Sequence, residues 1–116
     1  MSAPAQPSST TASHNEVVPS AAALVTAAKL AIQLDKPIQL DYYADSVSGK
    51  AFIGEDNTDP KLKVLVKSRD EFTSTIQKLY KASDTDCIIM TENTIYIASV
   101  KVAKKKINLA ALQGDE

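Results

Sequence analysis

One cysteine and one histidine are all that 116 residues hold of the two side chains most used in nucleophilic and metal chemistry. Cys87 therefore has no partner for an intramolecular disulfide. A zinc site wants about four Cys or His ligands, so no metal is expected, and nothing implies a cofactor. A Ser or Cys nucleophile needs a positioned base, and the sole imidazole, His14, falls in a Ser/Pro-rich stretch that offers no fixed geometry. No catalytic residue is assigned. Long apolar runs are missing too: the longest, AAALVTAAKLAI from Ala21 to Ile32, contains Lys29 and is far short of the roughly 20 residues that cross a bilayer. No membrane span is expected. There is no basic segment followed by an apolar one at the start and no Asn-x-Ser/Thr sequon, so the expected location is intracellular, not secreted. Finally, 13 basic against 14 acidic residues leave a net charge of -1, without the basic field that advertises nucleic acid.

What remains is ordinary globular chemistry, with 44% hydrophobic and 23% charged residues, enough for one small domain over residues 19–116. The first eighteen residues differ. MSAPAQPSSTTASHNEVV is rich in Ser, Thr and Pro, and its only adjacent apolar pair is Val17-Val18. Such a segment buries too little apolar surface to offset backbone ordering, which costs roughly 1 to 2 kcal/mol per residue. It is either an expendable terminus or an arm that orders against a partner, with Val17 and Val18 as its anchor.

Ser20 suits a helix cap, and residues 20–34 are Ala-rich with Leu24, Ala27, Ala28, Ala31, Ile32 and Leu34 at helical spacing. That stripe either covers the domain's own sheet, the preferred reading, or serves as a docking helix. Asp35-Lys36-Pro37 ends the helix. From Pro37 the period becomes two, and the expected fold is mainly β: a small antiparallel sheet or barrel-like domain over residues 37–102 behind an N-terminal helix. Within it, PIQLDYY and AFIG read as a hairpin joined by the turn ADSVSGK. LKVLVK reads as a strand, and DCIIM and IYIAS as a central hairpin around Glu92-Asn93. Residues 70–81 fit two descriptions. Phe72, Ile76, Leu79 and Tyr80 have helical spacing, which gives an α+β alternative, whereas Thr73-Ser74-Thr75 favours extended chain. Residues 103–116 read as a basic C-terminal segment containing Lys104, Lys105 and Lys106.

Motifs add little. Glu55, Asp56, Asn57 and Asp59 lack the Gly and terminal Glu of a calcium loop, and Ser48-Gly49-Lys50 lacks the first Gly and the closing Ser/Thr of a phosphate loop. The carboxylate pairs Asp41/Asp45, Asp70/Glu71 and Asp84/Asp86 lie in or beside turns, where solvated acids serve poorly at neutral pH. Tyr42, Tyr43, Phe52, Tyr80 and Tyr96 could stack on bases, with Lys63, Lys67, Arg69 and Lys104 to Lys106 meeting phosphates, so nucleic-acid binding ranks second.

The stretch KLKVLVKSRDEFTSTIQKLYKASDTDCIIMTENTIYIAS, through LVKS, EFTSTIQKLYK and MTENTIYIAS over residues 61–99, resembles short uncharacterised proteins of large nucleocytoplasmic DNA viruses of chlorovirus type. In that family's pattern a Pro follows the Thr-Ser, which disfavours a helix there; this chain has Thr75. The resemblance implies a viral, non-enzymatic setting: a minor capsid protein, located in the virion, with other capsid proteins as partners. The partner-contacting candidates are Val17 and Val18 in the arm and Lys104, Lys105 and Lys106 in the basic segment.

Overall fold

The computed structural model describes residues 17–112, and the arm preceding Val17 lies outside them. Ser20 caps the first helix, α1 (Ala21–Leu34), its side chain accepting from the Ala23 N–H at 3.2 Å. Asp35 closes the helix in the left-handed region, at φ 56°, and donates its N–H to the Ala31 carbonyl. The remaining elements are β1 (Ile38–Gln39), α2 (Tyr43–Ser48), β2 (Phe52–Asp56), β3 (Lys63–Ser68) and β4 (Glu71–Phe72). They are followed by β5 (Lys78–Lys81), β6 (Asp86–Met90), β7 (Ile95–Ser99), β8 (Ala103–Ile107) and α3 (Leu109–Leu112).

Two four-stranded sheets result. One has the order β1-β7-β6-β5 and the other β4-β3-β2-β8. The chain makes β1 in the first, crosses to lay down β2, β3 and β4 in the second, returns for β5, β6 and β7, and crosses again for β8. Mainly β with an N-terminal helix is the architecture found. The sheets are mixed, because β1 runs parallel to β7 and β8 parallel to β2.

Alternation along the strands sorts the side chains into three apolar layers. Between the sheets, Ile53 and Leu65 meet Cys87, Ile89, Tyr96 and Ala98. On the other face of the first sheet, Ile88, Met90, Ile95 and Ile97 pack under Ala23 and Ala27 of α1. Alanine at both positions lets the helix lie close to the sheet. Outside the second sheet a small cluster joins Val64 and Val66 to Leu109 of α3. The β6–β7 hairpin is thus buried on both faces, in accord with its unbroken apolar runs.

Several local expectations are corrected. The hairpin between residues 37–42 and 51–54 does not form. AFIG does enter a strand, β2, but pairs with β3 and β8; of residues 37–42 only Ile38 and Gln39 are strand, paired with Ile95 and Tyr96, while the expected turn contains α2, which ends at Gly49 with φ 92°. Distant contacts decide this. The Tyr43 hydroxyl reaches Asp86, and Ser46 Oγ accepts from the Ser99 N–H, so the helical turn is set by strands more than 40 residues away. Over residues 70–81 the extended reading holds and the α+β alternative, a helix there, does not form. Thr73 exchanges backbone and side-chain bonds with Leu65, and the Ile76 N–H donates to the Lys63 carbonyl, so the Thr-Ser-Thr run leaves β3 extended as it crosses between sheets. The sheet also continues past residue 102. Lys104, Lys105 and Lys106, expected in a basic tail, form the middle of β8.

Candidate interaction surface

The outward face of α1 is apolar. Helical periodicity turns Ala23, Ala27, Leu30 and Ala31 toward the sheet, which leaves Leu24, Val25, Ala28 and Ile32 outside; Leu34 shares the inward side of the helix but is exposed at its last turn. Ile32 is 83% exposed and Val25 53%. From Ala21 to Leu34 only Thr26, Lys29 and Gln33 are polar, so this helix lacks the charged face that a surface helix ordinarily presents to water. The expected single stripe of Leu24, Ala27, Ala28, Ala31, Ile32 and Leu34 is in fact split, its alanines 27 and 31 going inward and Leu24, Ala28 and Ile32 outward. What signalled the second stripe was the shortage of polar residues, not a period.

Val17 and Val18 precede this face. They are exposed, at 47% and 65%, whereas the following Pro19 is buried and Ser20 N donates to Asp86 Oδ2 at 2.7 Å. The arm is therefore tied to the domain at Pro19 and Ser20, and its two valines stand in solvent at the start of α1.

The lysine candidates do not make one patch. Strand alternation sends Lys105 to one side of β8 and Lys104 and Lys106 to the other. Lys106 donates to Glu55, which also pairs with Lys63 at 3.7 Å; the Lys106 bond and these two charges hold the Glu55 carboxyl below its ordinary value. Lys105 Nζ lies 4.6 Å above the Phe52 ring. Lys104 lines a cleft between the sheets beside Lys81 and Cys87. As an edge strand of three consecutive lysines, β8 instead suits protection against edge-to-edge pairing.

The expected stacking aromatics are mostly committed to the core. Tyr42 and Tyr96 are buried and meet edge to face at 5.3 Å, and Lys67 stands over Tyr42 at 5.5 Å. Burial, aided by the hydrogen bond to Asp86, pushes the Tyr43 phenol up to about 12.

Two acids expected in solvated loops are buried. Asp86, wholly enclosed, accepts from Tyr43 Oη at 2.5 Å and from the Ser20 N–H, and the Ser83 hydroxyl in turn accepts from the Asp86 N–H. Burial pushes its carboxyl up, but the bonds from Tyr43 and Ser20 outweigh this and hold it below its ordinary value. Asp56 accepts from Thr58 and, across the second sheet, from the Leu109 N–H that opens α3; the Thr58 hydroxyl leads in keeping its carboxyl low. Both carboxylates are occupied as staples, one for α1 and one for α3. Nothing in the local sequence marks Asp86, whose carboxylate partners Tyr43 and Ser20 are distant, and the local bonds of Asp56 to Thr58 and Asp59 give no sign of its contact with Leu109.

Among the described residues no three His, Cys, Asp or Glu side chains gather where a metal ion could be held, and no helix is long and apolar enough to cross a membrane. Neither a protein-family model nor a curated protein nor a solved structure matches this chain. The residues themselves carry the functional reading.

Cys87 is 4% exposed, and burial next to the Asp86 charge pushes its thiol up to about 11. An unfolded thiol titrates near about 8.5. Its contribution to stability is therefore complete below that pH and is lost as pH rises toward about 11, since only the unfolded chain ionises in that window. Chemical denaturation from about pH 8 to 9.5, below the range in which the unfolded phenols ionise, should show falling stability that flattens in Cys87→Val, and native Cys87 should react with a thiol reagent roughly a hundredfold more slowly than in urea. An equal slope in both proteins would contradict the assignment.

Proposed function

We propose that this chain is a non-enzymatic structural or interaction protein, a minor capsid component of a large DNA virus. It contacts neighbouring proteins through the outward face of α1 and through the arm of residues 1–18 that leads into it. The observation that carries this reading is the stripe of Leu24, Val25, Ala28 and Ile32, which leaves a large β-branched side chain almost wholly in water. A helix apolar on both faces is the form a helix takes when both are covered. The small Ala28 between Val25 and Ile32 suits a close helix-to-helix approach, and the single Lys29 does not supply the basic face of a membrane-surface helix. The viral setting rests on the resemblance over residues 61–99.

The test is a native pull-down with mass spectrometry from source material. It compares the full chain, a chain lacking residues 1–18, and the double variant Val25→Glu/Ile32→Glu. Both positions are exposed, so the double variant should fold within about 0.5 kcal/mol of the parent. Burying an unpaired carboxylate at an interface costs enough to reduce recovery of coat or assembly proteins by roughly tenfold or more. Undiminished recovery with the double variant contradicts the reading. So does recovery of nucleic acid that is salt-sensitive and lost when Lys104, Lys105 and Lys106 become Ala, which is the behaviour of a nucleic-acid-binding domain.

A further inference from the structure

The outer face of the second sheet holds a cleft of about 400 Å³ beneath α3, remote in function from α1 and independent of the reading above. Its body is apolar: Phe52 and Val66 from the sheet, Ile107 at the end of β8, and Leu112 from α3. Leu109, buried against Val64 and Val66, and the Asp56 carboxylate on the Leu109 N–H fix the helix that forms the wall. Gly54 keeps the floor low. A Cβ there would stand 2.5 Å from Ile107 Cδ1, so the glycine allows Ile107 to lie flat across β2.

The polar residues of the lining are Ser68, Arg69 and Asn108, and all of them have donors without a partner among the described residues. Arg69 is the only arginine of the sequence and joins no ion pair among the described residues. Ser68 Oγ accepts from the Asp70 N–H and Asn108 Oδ1 from the Ala111 N–H, each at 3.3 Å, while among the described residues the hydroxyl proton and the amide NH₂ have no partner and can serve another group. Among the described residues no carboxylate lines the cleft, and Lys105 adds a second positive charge over the Phe52 ring. Volume, apolar body and a few convergent polar groups are the usual attributes of a small-molecule site, which spans about 300 to 1,000 Å³.

We propose that this cleft binds a small amphiphilic carboxylate, its apolar body against Phe52, Val66, Ile107 and Leu112 and its carboxylate on Arg69 with Ser68 and Asn108. The planar guanidinium meets the two carboxylate oxygens in a bidentate fork, which a lysine at this position would not reproduce. The hydrocarbon supplies affinity by leaving water, and the donor set selects the head group.

Decanoate is the probe, titrated into the full chain below its micelle-forming concentration and followed by amide chemical shifts. The expected result is saturable shifts confined to residues 52, 66–69 and 107–112. Binding should weaken about tenfold or more in Arg69→Gln, which is exposed and leaves the fold intact, and should vanish in Ala111→Trp, whose side chain fills the cleft. Decanol should bind at least about fivefold more weakly than decanoate, and acetate should not saturate the site. Decanol equal to decanoate, or Arg69→Gln equal to the parent, would overturn the proposal. So would shifts centred on Val25 and Ile32, or binding seen only after residues 113–116, with their Asp115 and Glu116, are removed.

Discussion

Ile89→Ala is expected to lower stability by about 3 to 4 kcal/mol, near the upper part of the range for emptying a buried isoleucine site. Ile89 is fully buried on the central β6 strand, with Leu79 and Tyr96 opposite it on the two neighbouring strands and Leu65 and Ile53 across the gap between sheets. Both sides of the cavity are walls of hydrogen-bonded ladder, which cannot move inward without breaking register. The measurement is urea denaturation, with the midpoint shifted and the slope unchanged. Ile97→Ala provides the internal comparison. It opens a hole on the other face of the same sheet, under α1, and a helix resting on alanines can settle by a fraction of an ångström. Its cost should fall nearer to 2 kcal/mol, the lower end of the same range. If the two costs are reversed, the layer between the sheets is not the rigid one.

The second large effect is expected at Asp86. Asp86→Ala strands the Tyr43 hydroxyl and the Ser20 N–H at a fully buried position and unfastens the start of α1, for a cost of about 3 kcal/mol. Tyr43→Phe removes the donor rather than the shared acceptor and should cost only about 1 kcal/mol. The parent should also be acid-sensitive in a manner that Asp86→Ala is not. Because the folded carboxyl titrates below its ordinary value, its contribution is complete above the unfolded value, near about 4, and is lost as pH falls through the folded one. Thermal melts of both proteins from pH 7 to 2 test this: the gap between them should narrow as the parent is acidified. A constant gap would mean that Asp86 acts by shape and not by charge.

These two sites illustrate what local pattern discloses. The β6–β7 hairpin was legible because DCIIM and IYIAS are uninterrupted apolar strands around a turn-forming Asn, and α1 because Ser20 caps an Ala-rich run before a proline. Each signal lies within a few residues of the element it makes. The short helix at Tyr43–Ser48 was not legible, since Tyr43 and Ser46 are held by Asp86 and Ser99, and neither partner can be inferred from ADSVSGK. Parallel pairing hid the partner of β1 and the whole of β8 for the same reason: the alternation of PIQLDYY announces a strand but not its pairing, a triple-lysine strand carries no periodic signature, and each gains its place only from a neighbour laid down much earlier or later in the chain. Residues 73–77 resisted assignment because they belong to neither sheet and cross between them.

The candidate surfaces follow the same rule. Composition announced Val17 and Val18 as an apolar pair in a polar segment, and they are indeed in solvent. It placed Lys104 to Lys106 side by side, and the structure divides them between two faces, as it does any run of like charges that becomes a strand. It understated α1, whose two apolar faces merge into one list of alanines and aliphatics until the sheet selects one of them. Arg69 and the donors beside it are gathered from the β3–β4 turn and the start of α3, about 40 residues apart, a juxtaposition without trace in the local sequence.

The central claim, that another protein covers the outward face of α1, is tested most directly by placing a photo-cross-linking amino acid at position 32 and irradiating the full chain in native source material. A matched chain carrying the cross-linker at the exposed loop position Asn57 serves as control. The account predicts that position 32 couples to one protein at one short stretch of its sequence and that Asn57 does not. Coupling to nothing beyond the Asn57 background, or indiscriminate coupling to many abundant proteins, would contradict it.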